Sequence, residues 1–412
     1  MNTDDHSAAR GKPFSQWKVF SAAWGVVLAF ILSNSAAPLY VRWQNALHFS
    51  SGTLTDVFAA YIVGLLLSLL FVGQLSDFYG RKSVLIPGTV SALIACLLFM
   101  FSHHIPELLI ARFLTGVYVG VISSAGMAAV VDLGGAIHRK QASLIASIAM
   151  VLGAAIGPVL AGSLSSGLNH PIFWVYLIQF VLFLSFLIII FMLPLPVYTH
   201  APKETQTFRF RLPTISPEYK RFVGVGLAVF GPGLTSTCFI LSLGPSLLSS
   251  LLGVKSPVIF GGVAGMMFIS AIVIQFVFKH FSLKSILLAG TFCTSLSMIC
   301  MNLAVHELSL APLIIAALFA GPGQGLGQLG GLTIIAFNVP ERHRAESNAL
   351  MNMGSYIPAG VLPVTAGYLT DATNLTTGAS VFTIALLIMA LAGGYYVIKA
   401  LQKPFLEASI VV

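Results

Sequence analysis

Few residues of this 412-residue chain could do chemistry, and they are widely spaced. Arg112 lies inside a long apolar run. A guanidinium there costs about 2.5–3.5 kcal/mol on insertion scales, so it needs a partner or a wet cavity. It stays charged at any ordinary pH and cannot carry a proton, but it can set the pKa of a carboxylate. Asp56, early in a preceding apolar run, is the other strong charge at similar depth. An Asp56–Arg112 pair, direct or through water, would let protonation of the acid favour one of two access states; the competing reading makes Asp56 a helix cap. Asp77, Arg81, Lys82 and Asp132 fall at the ends of such runs. The chemistry they suggest is proton exchange and the making and breaking of ion pairs. Bond-making chemistry has no support. There is no G-K-[ST] phosphate loop, no metal-ligand spacing, no cofactor motif and no catalytic constellation, so an enzyme is not expected. Gly325-Leu326-Gly327-Gln328-Leu329-Gly330 matches G-x-G-x-x-G, but it lies within an apolar run with no preceding strand, which removes the dinucleotide reading. The four cysteines sit in apolar runs; Cys293 and Cys300 would lie about 10 Å apart along one helix, too far to bridge.

What must position these residues is a membrane bundle. The chain is 57% apolar and only 8% charged, against about 25% charged in soluble domains. Its mean hydropathy is +0.92. With about 20 residues needed per crossing, we read twelve helical spans: 18–39, 54–76, 83–101, 106–131, 141–165, 171–194, 221–248, 257–279, 283–303, 308–335, 345–369 and 376–399. The first run, with Ser33-Asn34-Ser35, resembles a signal peptide in part, but later spans make the protein a membrane resident either way. A β-barrel would need short alternating strands. With the N-terminus in the cytoplasm, 18 of the 21 Lys and Arg residues fall on the inner side; Arg42 and Lys255 are outside and Arg112 is within a span. This bias predicts an even span number, with both termini cytoplasmic in the inner membrane. The net charge of +8 then reports topology, and nucleic acid is not an expected partner.

The chain divides into residues 1–194, a proline-rich linker at 195–220, and residues 221–412. An offset of 205 aligns Gly116 and Gly120 with Gly321 and Gly325, His138-Arg139 with His343-Arg344, and Ala161-Gly162 with Ala366-Gly367. Two six-helix bundles, related in parallel about the membrane normal, are expected, with a substrate site between them. The charges Asp77, Arg112 and Asp132 have no acidic or basic counterpart in the second copy, which points to the first half for coupling and gating.

Gly73-Gln74-Leu75-Ser76-Asp77-Phe78-Tyr79-Gly80-Arg81-Lys82 resembles motif A of the major facilitator superfamily, G-x-L-[SA]-D-x-x-G-R-[KR]. Arg112-Phe113-Leu114-Thr115-Gly116, continuing to Gly120, resembles motif B. Gly153-Ala154-Ala155-Ile156-Gly157-Pro158-Val159-Leu160-Ala161-Gly162 resembles motif C, the "antiporter" motif of the twelve-span drug:proton branch, with Ala161 in place of one glycine. Gly153, Gly157 and Gly162 allow close helix approach, and Pro158 bends its span. The resemblance implies an Arg81–Asp132 pair that locks a closed inner gate, with Asp77 facing the start of span 11 near residues 344–347. It also implies a cavity lined from spans 1, 4, 7 and 10. Polar mid-membrane candidates are Asn34, Ser236, Thr237, Gln324 and Gln328, joined by Tyr61, Asn352 and Tyr356; helix–helix hydrogen bonding competes as the explanation of each.

These readings together predict an all-α secondary transporter, a monomer in the bilayer, that exports small hydrophobic or neutral compounds by alternating access in exchange for protons. The alternative is a proton-linked importer of a sugar, organic acid or other nutrient.

Overall fold

Every backbone amide in a bilayer must be satisfied within its own segment, so long apolar runs fold as helices. The computed structural model describes residues 16–195 and 216–402, apart from 252, 255 and 279. Among them twelve long helical spans follow in order. Span 1 is Gln16–Ser35, extended through a short turn into Tyr40–Leu47. Spans 2 and 3 are Ser51–Tyr79 and Arg81–Met100. Spans 4 and 5 are Ile105–Gly135 and Gln141–Gly167, and span 6 is Pro171–Met192. Spans 7 to 12 begin with Lys220–Ser246 and continue as Pro257–Phe278, Leu283–Glu307, Leu310–Asn338, Glu341–Ala372 and Leu375–Ala400. Eleven are long and apolar enough to cross a membrane by hydropathy. Span 11 is as long, but Asn348, Asn352, Ser355 and the charged residues at its ends make it more polar. Span 4 holds a π-helical turn at Ile122–Gly126, just past the motif B glycines, which no periodicity announced. Most of the linker lies outside the described residues, as do both chain ends.

We call the end of the bundle carrying Arg81 and Asp132 the inner end, after the orientation that its charge predicts. Glycine-mediated close approaches between the two halves occur along two seams at the other, outer end, where Ser246 Oγ of span 7 also donates to Gln44 Oε1 of the first half at 3.3 Å. Span 5 meets span 8: a Cβ on Gly162 would lie 2.6 Å from the Pro257 carbonyl oxygen, and one on Gly261 would lie 2.4 Å from that of Pro158. Span 11 meets span 2: a Cβ on Gly367 would lie 2.3 Å from Thr55 Oγ1 and 2.8 Å from the Ser51 carbonyl oxygen. The offset of 205 carries Gly162 onto Gly367 and Gly52 onto Pro257, so the seams are copies of each other. Residues 31–40 of the first span and 229–248 of the seventh are buried on every side, whereas their inner stretches alternate between buried and accessible. The bundle is closed at its outer end.

Candidate functional site

The motif A turn is built at the inner end. Gly80 has φ 91°, a left-handed conformation that favours glycine, and its amide donates to the Ser76 carbonyl at 3.0 Å. That turn starts span 3 with Arg81 pointing back at span 4. Arg81 Nε lies 3.3 Å from Asp132 Oδ2, and its Nη1 donates to Ser76 Oγ at 2.9 Å. The side chains are 17% and 39% accessible, so water screens the pair, which is worth about 0.2–1 kcal/mol in static stability. Lys82 Nζ donates to the Phe191 carbonyl at 2.9 Å, tying the turn to span 6. The Asp77 side chain lies outside the described residues, so the contact expected with span 11 is not placed. Gly73 is not crowded: a Cβ there would meet only Ser124 Oγ, at 3.5 Å.

Motif B zips span 4 to span 2. A Cβ on Gly116 would lie 2.0 Å from the Tyr61 carbonyl oxygen, and one on Gly120 would lie 2.6 Å from Ser68 Cβ. Ser68 Oγ donates to the Val117 carbonyl at 2.9 Å in the same contact. This approach sets Arg112 beneath the Tyr61 ring. Arg112 is 1% accessible. Its Nη1 donates to the Ser33 carbonyl at 2.8 Å. Its guanidinium carbon lies 4.8 Å from the Tyr61 ring centre, 5.6 Å from Phe58 and 5.9 Å from Tyr40. Its Nε has no hydrogen-bond partner among the described residues.

Asp56 is not that partner. Tyr368 of span 11 donates to Asp56 Oδ2 at 2.6 Å, and Asp56 makes no ion pair with Arg112. The reason is rotation about the helix axis rather than depth. At 3.6 residues per turn, Asp56 lies about 160° around span 2 from Phe58 and about 140° from Tyr61, the two residues that face Arg112. The buried cation is therefore held by a carbonyl and three aromatic rings.

Motif C divides between two contacts. Gly153 and Gly157 seat span 5 on span 1 within the first half, where Cβ atoms would lie 2.3 Å from the Val27 and 2.7 Å from the Ile31 carbonyl oxygens. Of its three glycines Gly162 alone meets the second half, and the Pro158 carbonyl meets it too, against Gly261.

Of the cavity candidates, Ser236 and Thr237 are spent on the scaffold. Ser236 Oγ meets Ser297 Oγ of span 9 at 3.2 Å, and Thr237 Oγ1 donates to its own helix at Leu234, 2.8 Å away. Asn34 and Asn352 each donate once to a carbonyl one turn back, at 2.9 Å. Gln324 and Gln328 are half-buried on one face of span 10, and Tyr356 is half-buried in span 11. Spans 2, 7 and 11 pack against one another, and span 2 presents Tyr61 to Arg112. Sequence reasoning missed Phe58 and Tyr40 as the cover of Arg112, and missed Tyr368 and Asp371 at the outer seam. The aromatic residues spaced three apart on span 2 were the available signal for the first.

Known proteins share both pattern and fold. The family model described as Major Facilitator Superfamily matches residues 20–306. "Multidrug resistance protein 2" of Bacillus subtilis is 27% identical over 150 residues, 36% of this chain and 38% of that protein. "Multidrug transporter MdfA" of Shigella boydii is 29% identical over 116 residues, 28% of this chain and 27% of that protein. The chain thus matches these relatives over little more than a third of their length at most. Among solved structures, an inward-facing, occupied bacterial homologue of the human lysosomal transporter Spinster superposes with TM-score 0.73 at 12% identity, covering 95% of this chain and 98% of that one. A D-xylose–proton symporter superposes with TM-score 0.71 at 15% identity, covering 94% and 99%. At these identities the likeness is one of fold.

Proposed function

Since the chain belongs to the major facilitator superfamily, a family of multi-pass membrane transporters, we propose that it exports small hydrophobic or neutral compounds by alternating access, driven by the proton gradient. The observation that carries the substrate reading is the site of Arg112: a buried cation facing aromatic rings, with no carboxylate beside it among the described residues. Such a site repels lipophilic cations and accepts aromatic or polarisable neutral groups against Tyr61 and Phe58. Motif C and the multidrug transporters matched over part of the chain support the outward direction. In this reading residues 1–194 and 221–412 rock against each other about the linker 195–220, as a monomer in the cytoplasmic membrane with both ends inside. The Arg81–Asp132 pair opens and closes with the inner gate. Asp56 takes up and releases the coupling proton, with Tyr368 rather than Arg112 as its partner. Asn34, Gln324, Gln328, Asn352 and Tyr356 contribute the polar lining of the pocket.

Reconstitution in liposomes under an imposed pH gradient tests this. Gradient-driven movement of compounds from a mixed hydrophobic library is expected, and Asp56→Asn should uncouple it from the gradient. Full gradient-driven transport in Asp56→Asn removes Asp56 from the coupling role, and an absence of any gradient response refutes proton coupling altogether.

A further inference from the structure

A helix that starts at a membrane surface has amides that its own backbone cannot satisfy. Span 2 starts at Ser51, and the fate of its first three amides is fully accounted for. Thr53 N donates to its own cap, Ser50 Oγ, at 3.2 Å. Ser51 N and Gly52 N donate instead to the two carboxylate oxygens of Asp371, at 2.8 and 2.7 Å. Asp371 lies at the end of span 11, in the other half of the molecule, 320 positions away from Ser51. One turn earlier, Tyr368 reaches across the same seam to Asp56 at 2.6 Å. Gly52 allows this approach, since a Cβ there would lie 2.7 Å from Asp371 Oδ2 and 2.9 Å from Tyr368 Cδ1.

We propose that Asp371, seconded by the Tyr368–Asp56 bond, is the latch that holds the outer end closed, and that its release is a required step of the transport cycle. Three features single it out. It joins the halves, so outward opening must break it. It carries a net charge onto the positive end of a helix, where a carboxylate is most strongly held. It also has no copy on the matching seam: the offset of 205 places Ser166 and Gly261 where this seam has Asp371 and Asp56. The span 5–span 8 seam is packed through Gly162, Pro257, Gly261 and Gly265, with no side-chain hydrogen bond across it among the described residues. Van der Waals contact between small residues supplies fit there, while the span 2–span 11 seam adds a polar bond whose breakage requires water to reach two backbone amides. Asp371 acts through the conformational equilibrium and needs no contact with substrate.

The test measures the outer gate directly, in the full-length protein. Spin labels are placed at Leu168 and Leu308, exposed residues on outer connections of opposite halves, with the four native cysteines replaced. Distances are then read by pulsed electron resonance without substrate, so the outcome is independent of the exporter reading. The unaltered seam should give mainly the short, closed distance. Asp371→Asn keeps shape but loses charge, and should lower the closed-to-open ratio about tenfold. Tyr368→Phe should lower it less, and Asp371→Glu, which keeps the charge, should stay mainly closed. An unchanged distribution in Asp371→Asn overturns the latch. So does equal opening in Asp371→Asn and Asp371→Glu, which would mark a packing defect rather than a charged bond.

Discussion

Replacing Gly116 and Gly73 by alanine should have opposite consequences, although each belongs to a recognisable motif. At Gly116 the added methyl would lie 2.0 Å from the Tyr61 carbonyl oxygen and 2.8 Å from Leu65 N, both backbone atoms that cannot rotate away. Ordinary contact begins near 3.4 Å, so span 4 must move more than 1 Å from span 2 over that turn. Overpacking of this kind costs about 1–3 kcal/mol. The displacement also shifts Tyr61, whose ring lies 4.8 Å from the Arg112 guanidinium, so transport should fall with stability. At Gly73 the methyl would meet only a hydroxyl oxygen, at 3.5 Å, within ordinary contact. There the loss of glycine's backbone freedom should stabilise span 2 by up to about 1 kcal/mol. Unfolding of purified protein in mixed micelles, followed by circular dichroism against denaturant fraction, measures both. The expected order of stability is Gly73→Ala, then the unaltered protein, then Gly116→Ala. Equal stability of the two variants would refute the packing argument, because it would mean that span 4 can leave span 2 without cost.

Three further sets of substitutions probe different links. Reversing Arg81 to aspartate or Asp132 to arginine should each abolish most transport with little change in unfolding midpoint, because the exposed pair contributes at most about 1 kcal/mol. The double reversal should recover a substantial part, since the Ser76 hydroxyl, 2.9 Å from Arg81, can donate to an aspartate at position 81. Arg112→Lys should not behave as a conservative change: it loses the planar contact with Tyr61 and buries a more strongly hydrated ammonium. A fall of about 1–3 kcal/mol in unfolding free energy is expected from weakening a charged bond to the Ser33 carbonyl, together with impaired transport. Ser236→Ala should cost about 0.6 kcal/mol, the usual worth of a hydrogen bond between membrane helices. It should leave the compound profile unchanged, because Ser297 keeps its bond to the Ala316 carbonyl; a changed profile would return Ser236 to the pocket.

The spans were legible because the bilayer leaves a segment of about 20 apolar residues one way to fold, and the Arg81–Asp132 contact was legible through the resemblance of the Gly73–Lys82 string to motif A, whose arginine pairs with an acid at the inner end of span 4. The partner of Asp56 was not. Depth along the chain put it level with Arg112, but azimuth decides contact, and azimuth is read from the neighbours. Phe58 and Tyr61 are three apart and share a face, and Asp56 belongs to the opposite one. Ser236 failed for a related reason. A hydroxyl at mid-membrane reads the same whether it faces the pocket or span 9, and only the position of Ser297 separates the two. Asp371 left no signature at all, because its partners are backbone amides, which carry no residue type.

Duplication explains why the missed seam matters. Repetition of a six-span unit reproduces its glycines, because close approach must be kept wherever two helices cross, and Gly162 and Gly367 hold equivalent places on the two outer seams. The sequence suggested that the motif charges had survived only in the first copy, which pointed to that half for coupling and gating. The contacts revise that division. The inner pair, Arg81–Asp132, joins two spans of the first half. The outer bond runs from Asp371 and Tyr368 of the second half to the first turns of span 2. A bond of that second kind has a strength that depends directly on the relative position of the halves. It follows that the acid in the copy with fewer charges is the one placed to sense the rocking motion, and that span 2 carries both elements: the latch at its first turn and the motif A turn at its last.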